Sequence, residues 1–387
     1  MKVAVTTLAF CVASLLALGL VMLYSSSMTQ VGAHYLMMQL IWCVFGFIGC
    51  ITAVSMDYQL LKRQDVVFCL FALAVLLLCL VYPFPHLPHL PERIIKKTNG
   101  AHRWFILPGG TRVQPSELGK IALILALAWY GDWFQRRMHT FVWGIIIPVG
   151  IIGTMLALIF IEPDRGTTIL MASVSAGILL MAGVDWKKMF IPVPIAIAGI
   201  VFSILHDPMR MKRVFSWWDL EQSKDGVGYQ AYQAMIALGS GGWTGLGLGN
   251  GRQKLGFVPE HHTDFIFSII GEELGLLATL LVVVAFVVIA FCGFYIALHA
   301  KDRFGTLLAS GITLLISLQA AINIGVVTSA LPNKGLPLPF ISYGGSNLLA
   351  MLTCVGILLS VARQAAPAKI SASDFVSDDN PFAARAA

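Results

Sequence analysis

Residues 265–298 read FIFSIIGEELGLLATLLVVVAFVVIAFCGFYIAL, and within this stretch only Glu272 and Glu273 carry charge. A helix needs about 20 apolar residues to cross the hydrocarbon core of a bilayer. The stretch therefore predicts a membrane-spanning helix that must tilt, break or extend beyond the bilayer. The whole chain points to the same class, because 57% of its 387 residues are hydrophobic and 12% are charged, against about 25% charged in soluble proteins.

The rest of the chain contains further apolar stretches of similar length, so the sequence predicts an all-α integral membrane protein with about ten transmembrane helices. The predicted spans are 3–25, 35–56, 66–84, 116–134, 142–161, 167–184, 189–205, 265–298, 305–330 and 341–362. Residues 1–364 would form this membrane domain, and 365–387 a polar cytoplasmic tail predicted to be disordered.

The short loops predict the orientation of the spans. Lys62, Arg136, Lys187 and Lys301 follow the second, fourth, sixth and eighth spans, and basic residues in short loops mark the cytoplasmic side. Both termini are then cytoplasmic, and two long loops, about 85–115 and 206–264, are external. Long ordered loops are often functional, although their basic residues could also simply attract anionic lipid headgroups.

Several other classes of protein are not indicated. The seven cysteines all lie in apolar stretches without a CxxC pair, which argues against disulfides and thiolate metal sites. The glycine-rich segment 239–250 lacks the GxxxxGK[ST] spacing of a nucleotide-binding loop. The net charge of +6 is spread over membrane loops, so nucleic acid binding is not expected.

Two clusters of ionisable residues lie at predicted span ends. Glu117 and Lys120 are three residues apart and share one helical face, so they form either a structural ion pair or part of a substrate site. Glu162 and Asp164 lie in the turn between the fifth and sixth spans. Capping of the sixth helix by Asp164 is the more economical interpretation of that turn.

Asp264 lies where the second long loop meets the apolar stretch 265–298. Partial desolvation suits a carboxylate at such a boundary to general base catalysis, whereas the alternative is an N-cap for the eighth helix. The neighbouring His261 and His262 do not have the spacing of HExxH, so a metal site is not expected. Glu272 and Glu273 are costly in lipid and are expected to face the protein interior.

The segment 331–347 is rich in proline and glycine and immediately precedes or enters the last span. Irregular backbone at membrane depth is tolerated only against protein or a water-filled cavity. This segment is therefore predicted to line a cavity, with a plain re-entrant turn as the alternative.

An ordered series of motifs resembles the FtsW/RodA family, also called the SEDS family, and covers most of the chain from about residue 100 onward. The matching runs are RWF at 103–105, QPSEL at 114–118, EPDRG at 162–166, GLGN at 247–250, QKL at 253–255, PE at 259–260, HTDFIF at 262–267, GEELG at 271–275 and GLPLPFISYGGS at 335–346. The GLGN, QKL and IIGEELG runs look more like FtsW than RodA.

The resemblance implies an inverting glycosyltransferase that polymerises lipid II at the outer face of the bacterial inner membrane, in cell division. Asp264 would be the catalytic base, and Arg103, Arg112 and Lys120 would bind pyrophosphate. The remaining candidates for substrate binding are Glu117, Arg252, Lys254, Ser342 and Tyr343. The candidates for structure or site wall are Trp104, Glu162, Asp164, His262, Glu272, Glu273, Gly344 and Gly345.

The resemblance also implies partners: undecaprenyl-pyrophosphate-linked glycan, an FtsI-like class B penicillin-binding transpeptidase and other divisome proteins. No cofactor is certain, although a divalent cation could assist. Three alternatives stay open at this point, namely a lipid II flippase, a RodA-like polymerase of cell elongation, and a non-catalytic division scaffold.

Overall fold

The computed structural model describes residues 1–27, 32, 34–81, 103–106, 111–259 and 262–365. The predicted tail and most of the first long loop lie outside the described residues. The helices are α1 Lys2–Ser27, α2 His34–Ser55, α3 Gln64–Val81, α4 Pro115–Trp133, α5 Ile147–Ile161, α6 Arg165–Met181, α7 Trp186–Met189, α8 Pro192–Leu205, α9 Pro208–Trp218, α10 Tyr229–Ser240, α11 Ile266–Leu298, α12 Arg303–Val327 and α13 Gly345–Gln364.

All ten predicted spans coincide with helices, and the prediction of an all-α membrane fold is confirmed. Eight helical segments among the described residues are long and apolar enough to cross a membrane. The other two predicted spans are α4, which carries Glu117, Lys120 and Asp132, and the shorter apolar helix α6. The seventh span combines α7 and α8, and a π-helical turn at Val142–Ile146 precedes α5.

The core of the bundle is formed by α4, α12 and α13, which are buried along most of their lengths. Pro115 begins α4, where its missing N–H removes no helical hydrogen bond. The peripheral α8 contrasts with these helices, because most of its residues are exposed.

The bundle has two ends that the following sections need to distinguish. We call the end where α1 stops and where α2, α11 and α13 begin the loop end, because the segments 206–264 and 331–344 lie there. The opposite end, where α1 begins and where α2, α11 and α13 stop, is the terminal end.

The long helix α11 is interrupted at Gly275, which has φ of 76°. A side chain there would meet the backbone of the glycine-rich segment, so glycine satisfies both the left-handed conformation and the close approach. Leu276 N–H donates to the carbonyl of Gly242 at 2.9 Å, and Leu246 N–H donates to that of Glu272 at 2.9 Å. The glycine-rich segment thus satisfies the backbone groups that the interruption exposes.

Both predicted long loops contain regular structure. In the first, Phe105–Ile106 (β1) and Arg112–Val113 (β2) pair antiparallel. In the second, α9 is amphipathic and exposes Phe215 and Trp218, and α10 packs against α11.

Candidate active site

The site is built on the segment 331–344 at the loop end, where α12 is connected to α13 without regular secondary structure. Side chains of α12 satisfy its backbone: Gln319 Nε2 donates to the carbonyl of Pro337 at 2.9 Å, and Asn323 Nδ2 donates to that of Leu336 at 2.6 Å. Within the segment, Leu338 N–H donates to Ser342 Oγ at 2.8 Å. These bonds hold irregular backbone in a buried position.

The segment 262–264 lies directly against this connection. Ser342 Oγ donates to the carbonyl of Thr263 at 2.6 Å, and Tyr343 N–H donates to that of His262 at 2.9 Å. The carbonyl of Asp264 accepts a bond from Asn323 Nδ2 at 2.8 Å. Asn323 therefore fixes the backbone of both segments at once.

The Asp264 side chain faces Gly335, since a Cβ on that glycine would lie 2.7 Å from Oδ2. The Asp264 residue is partly exposed, whereas the next residue, Phe265, is buried at 1% exposure. The interpretation of Asp264 as the N-cap of α11 is wrong, because Phe265 occupies that position and no side chain caps the helix there. A carboxylate on a partly exposed residue next to a buried core can accept a proton from a bound molecule.

Glu117 and Lys120 form the ion pair that their spacing predicts, with 2.7 Å between Lys120 Nζ and Glu117 Oε2. Their side chains are 8% and 2% exposed, and the pair is held on both sides. Lys120 Nζ donates to Gln319 Oε1 at 3.1 Å, and Asn347 Nδ2 donates to Glu117 at 3.2 Å. Because Gln319 also bonds the carbonyl of Pro337, the pair is linked to the segment that faces Asp264.

Arg103 binds the turn between α5 and α6 through its guanidinium. Its Nε donates to the carbonyl of Glu162 at 2.9 Å, and Nη2 donates to that of Pro163 at 2.6 Å. Asp164 caps α6, since its carboxylate accepts from Thr167 N–H at 3.1 Å. The capping interpretation of Asp164 is thus confirmed, and Arg103 is placed at the loop end beside it.

Glu162 is 1% exposed, and neither of its carboxylate oxygens has a hydrogen-bond partner among the described residues. Burial raises the pKa of Glu162 to about 8, and the charge of Asp164 adds to this increase, whereas Arg103 lowers it. A carboxyl group with this pKa is mainly protonated at neutral pH.

Aromatic residues join α2 to the site. The Tyr35 ring stacks on His262 with 4.5 Å between ring centroids and lies 4.9 Å from Tyr343. Strand β2, which carries the exposed Arg112, contacts α13. Arg112 and Tyr343 are therefore placed on the same side of the site, while Trp104 is half-buried beside β1.

Two glycines begin α13 at close contacts with α2. A Cβ on Gly345 would overlap the Trp42 ring. The preceding Gly344 donates its N–H to Gln39 Oε1 at 3.4 Å, and Gln39 Nε2 donates to the carbonyl of Ser342 at 3.2 Å. These contacts fix where the connection enters α13.

Lys254 is buried and binds the glycine-rich segment to α11. Its Nζ lies 2.7 Å from Glu273 Oε1 and donates to the carbonyl of Gly249 at 2.8 Å and to Ser25 Oγ at 3.0 Å. Glu272 accepts a bond from Arg252 N–H at 2.7 Å. Glu272 and Glu273 thus stabilise the loop, and the Arg252 side chain is exposed.

The structure brings two cations to the loop end, Lys334 and Arg165, that were not among the predicted substrate-binding residues. Lys334 precedes Gly335, and its pKa is lowered by burial and by the charge of Arg165. Neither residue forms an ion pair within 4 Å among the described residues. Their positive charge is therefore available to an anion.

Other contributors that sequence reasoning missed are Gln39, Gln319 and Asn323, and the available signal was a polar side chain inside an apolar span. In the described part of the chain, no group of three or more His, Cys, Asp and Glu could hold a metal ion.

Comparison with known proteins agrees with this architecture. Residues 6–366 match the family model FTSW_RODA_SPOVE, described as cell cycle protein. The probable peptidoglycan glycosyltransferase FtsW of Trichlorobacter lovleyi is 37% identical over 94% of this chain and 94% of its own. The protein of the same name from Marinobacter nauticus is 38% identical over 90% of this chain and 86% of its own.

Solved structures have the same fold. A chain from a study of polymerization and crosslinking by a peptidoglycan synthase complex is 26% identical, with a TM-score of 0.77 over 92% of this chain and 97% of that chain. The rod shape determining protein RodA of Thermus thermophilus is 24% identical, with a TM-score of 0.65 over 93% of this chain and 97% of that chain. Together with the near full-length family match, these relatives establish that the chain belongs to the FtsW/RodA/SpoVE family of multi-pass membrane proteins.

Proposed function

We propose that this protein is a peptidoglycan glycosyltransferase that polymerises lipid II into glycan strands at the outer face of the bacterial inner membrane. The observation that carries the proposal is the Asp264 carboxylate at the loop end: it lies on one of the two segments that Asn323 fixes and faces Gly335 on the other. The relatives named peptidoglycan glycosyltransferase support the same reaction class.

Asp264 acts as the general base in this proposal. It takes the proton from the acceptor sugar hydroxyl while that oxygen attacks the anomeric carbon of the donor sugar. The bond between the anomeric carbon and the pyrophosphate oxygen breaks, and its electron pair leaves with undecaprenyl pyrophosphate. Attack opposite the leaving group inverts the configuration at the anomeric carbon. Because Gly335 has no side chain, Oδ2 of Asp264 can lie within 2.7 Å of the point that a Cβ would occupy there.

The pyrophosphate gains negative charge as it leaves, and fixed cations stabilise that charge most when water is excluded. Arg112, on β2, and the pair Arg165 and Lys334 supply positive charge at the loop end, and Arg103 contributes there while it holds the turn before α6. Ser342 and Tyr343 shape the substrate surface through their bonds to segment 262–264.

We assign Lys120 and Glu117 a positioning role in the same reaction. The ammonium is already 2.7 Å from the carboxylate and reaches the segment facing Asp264 through Gln319. A direct contact of Lys120 with pyrophosphate is the alternative. Lys254 stabilises the glycine-rich segment, and the exposed Arg252 flanks it. A contact of either residue with substrate stays a prediction.

The short basic loops favour cytoplasmic termini, which put the loop end outside the cell. There it would meet the lipid II headgroup and an FtsI-like class B penicillin-binding transpeptidase. The likeness to a chain from a peptidoglycan synthase complex that coordinates polymerization and crosslinking supports such a partner. The relatives named FtsW favour work at the division septum with other divisome proteins, rather than RodA-like elongation.

The test is polymerisation of fluorescent lipid II by the purified full chain, with and without its transpeptidase. Glycan strands made by the complex support the proposal. Transfer of lipid II between leaflets of vesicles, with no polymer under either condition, would instead favour the flippase. Replacing the base in Asp264→Asn should abolish the polymer, and Asp225→Asn is the matched control, since Asp225 is an exposed carboxylate in the same long loop.

A further inference from the structure

A cavity lies at the terminal end of the bundle, far from the site described above. It has a volume of about 620 Å³ and lies between the ends of α1, α2, α11 and α13. Asp264 immediately precedes Phe265 and α11, and the cavity lies at the other end of this helix. At a rise of about 1.5 Å per residue, the two are roughly 50 Å apart. Its volume is within the range of about 300–1,000 Å³ that is usual for small-molecule sites.

The walls of this cavity are apolar and its charged groups are cationic. Val5, Val54 and Leu359 contribute apolar side chains, whereas Lys2 and Arg363 contribute the charges. None of the described residues that line it is an aspartate or a glutamate. The surface therefore suits a molecule that combines an acidic group with hydrocarbon.

Arg363 is anchored at the rim, because its Nη2 donates to the carbonyl of Ser55 at 3.1 Å. A guanidinium has five N–H donors, so this bond leaves other donors to bind a phosphate. The Lys2 side chain comes from the exposed first turn of α1 and can approach the same phosphate from the other side.

We propose that this cavity binds the phosphate headgroup and glycerol region of an acidic glycerophospholipid. Basic pockets between helix ends at the membrane surface are suited to such headgroups. The orientation given above decides only which membrane leaflet supplies the lipid. Lipid binding at this cavity does not depend on the proposed glycosyltransferase reaction.

The acidic tail is a less suitable occupant than a lipid. Ala365 lines the cavity, but the first charged residue after it is Lys369, which would be repelled by the basic rim. The first acidic residue is Asp374, nine positions beyond Ala365. A lipid brings its phosphate and its hydrocarbon to the cavity together.

Native mass spectrometry of the delipidated full chain, titrated with phosphatidylglycerol or phosphatidylcholine, tests the proposal. Each cation near a membrane surface changes affinity about fivefold, so Lys2→Gln and Arg363→Gln should each weaken phosphatidylglycerol binding by about that factor. Arg136→Gln, an exposed arginine in a short loop outside the cavity, should bind like the unmodified protein. Equal binding by all four proteins, or equal affinity for phosphatidylcholine, would overturn the proposal.

A photo-crosslinking residue at position Leu359 identifies the occupant directly. In membranes it should yield a lipid adduct, and an adduct with residues 366–387 would show that the tail fills the cavity instead. If Arg363→Gln lowers the yield of folded protein, Lys2→Gln still tests the proposal, because it changes only an exposed side chain at the tip of α1. Polymerisation measured on the same samples separates failure of this proposal from failure of the proposed function.

Discussion

The role of Lys254 can be decided by a substitution that removes only its charge. Lys254 and Glu273 are 2% and 0% exposed, with 2.7 Å between Nζ and Oε1. Lys254→Met keeps most of the side-chain volume but leaves the carboxylate buried without its cation. Breaking a buried pair in this way costs about 3–5 kcal/mol, which corresponds to a fall of roughly 10 °C in the unfolding temperature.

A second variant separates the ion pair from the volume of the side chain. Glu273→Gln combined with Lys254→Met removes both charges, while the amide oxygen can still accept the bond from Gly249 N–H, 3.0 Å from Glu273 Oε2 in the unmodified protein. Because the uncompensated charge is gone, we expect the double variant to recover at least half of the lost stability.

Thermal unfolding followed by tryptophan fluorescence in detergent measures these effects, with polymerisation of lipid II measured on the same samples. The structural role predicts that Lys254→Met unfolds at a lower temperature. An unchanged unfolding temperature together with lost polymerisation would refute it, and would show that Lys254 contacts the substrate.

Three further predictions concern the loop end. Gly335→Ala would place a Cβ 2.7 Å from Asp264 Oδ2 and displace the carboxylate, so the rate of lipid II polymerisation should fall up to about 100-fold. The control is Gly150→Ala, where the added methyl meets nothing within 4 Å and the rate should not change. The pKa of Glu162 is about 8 in the folded protein and 4.5 ordinarily, so the folded state favours the protonated carboxyl. The resulting contribution to folding stability, at most about 5 kcal/mol, is complete below about pH 4.5 and is lost as the pH rises through 8. Glu162→Gln should therefore make the unfolding temperature depend less on pH, and an unchanged dependence would contradict this. Arg103→Gln removes two charge-assisted bonds and should lower stability by about 1.5–3 kcal/mol, measured by thermal unfolding, whereas lost polymerisation at full stability would show that Arg103 acts on substrate alone.

The sequence was sufficient for the spans because each one depends on local composition. A run of about 20 apolar residues has few structures available in a bilayer, and the excessive length of 265–298 correctly indicated an irregularity. The position of the break could not be predicted, because Gly275 depends on contact with the glycine-rich segment, about 30 residues earlier in the chain.

The site was only partly predictable for the same reason. The spacing of Glu117 and Lys120 is local, so their pairing followed from helical geometry. Asp264 and Gly335 are 71 positions apart in the sequence, and their approach depends on Asn323 bonding both segments. Lys254 lies in a basic loop of predicted substrate contacts, and only the folded chain places it against Glu273.

The most direct test of the proposed mechanism is Asp264→Asn, which keeps the shape of the side chain and removes its basicity. Polymerisation of fluorescent lipid II would be measured for the full chain with its transpeptidase, beside thermal unfolding and lipid II binding. The general-base role predicts that polymer is lost while unfolding temperature and binding are retained. Polymer formed at the unmodified rate would contradict it and require another residue as the base.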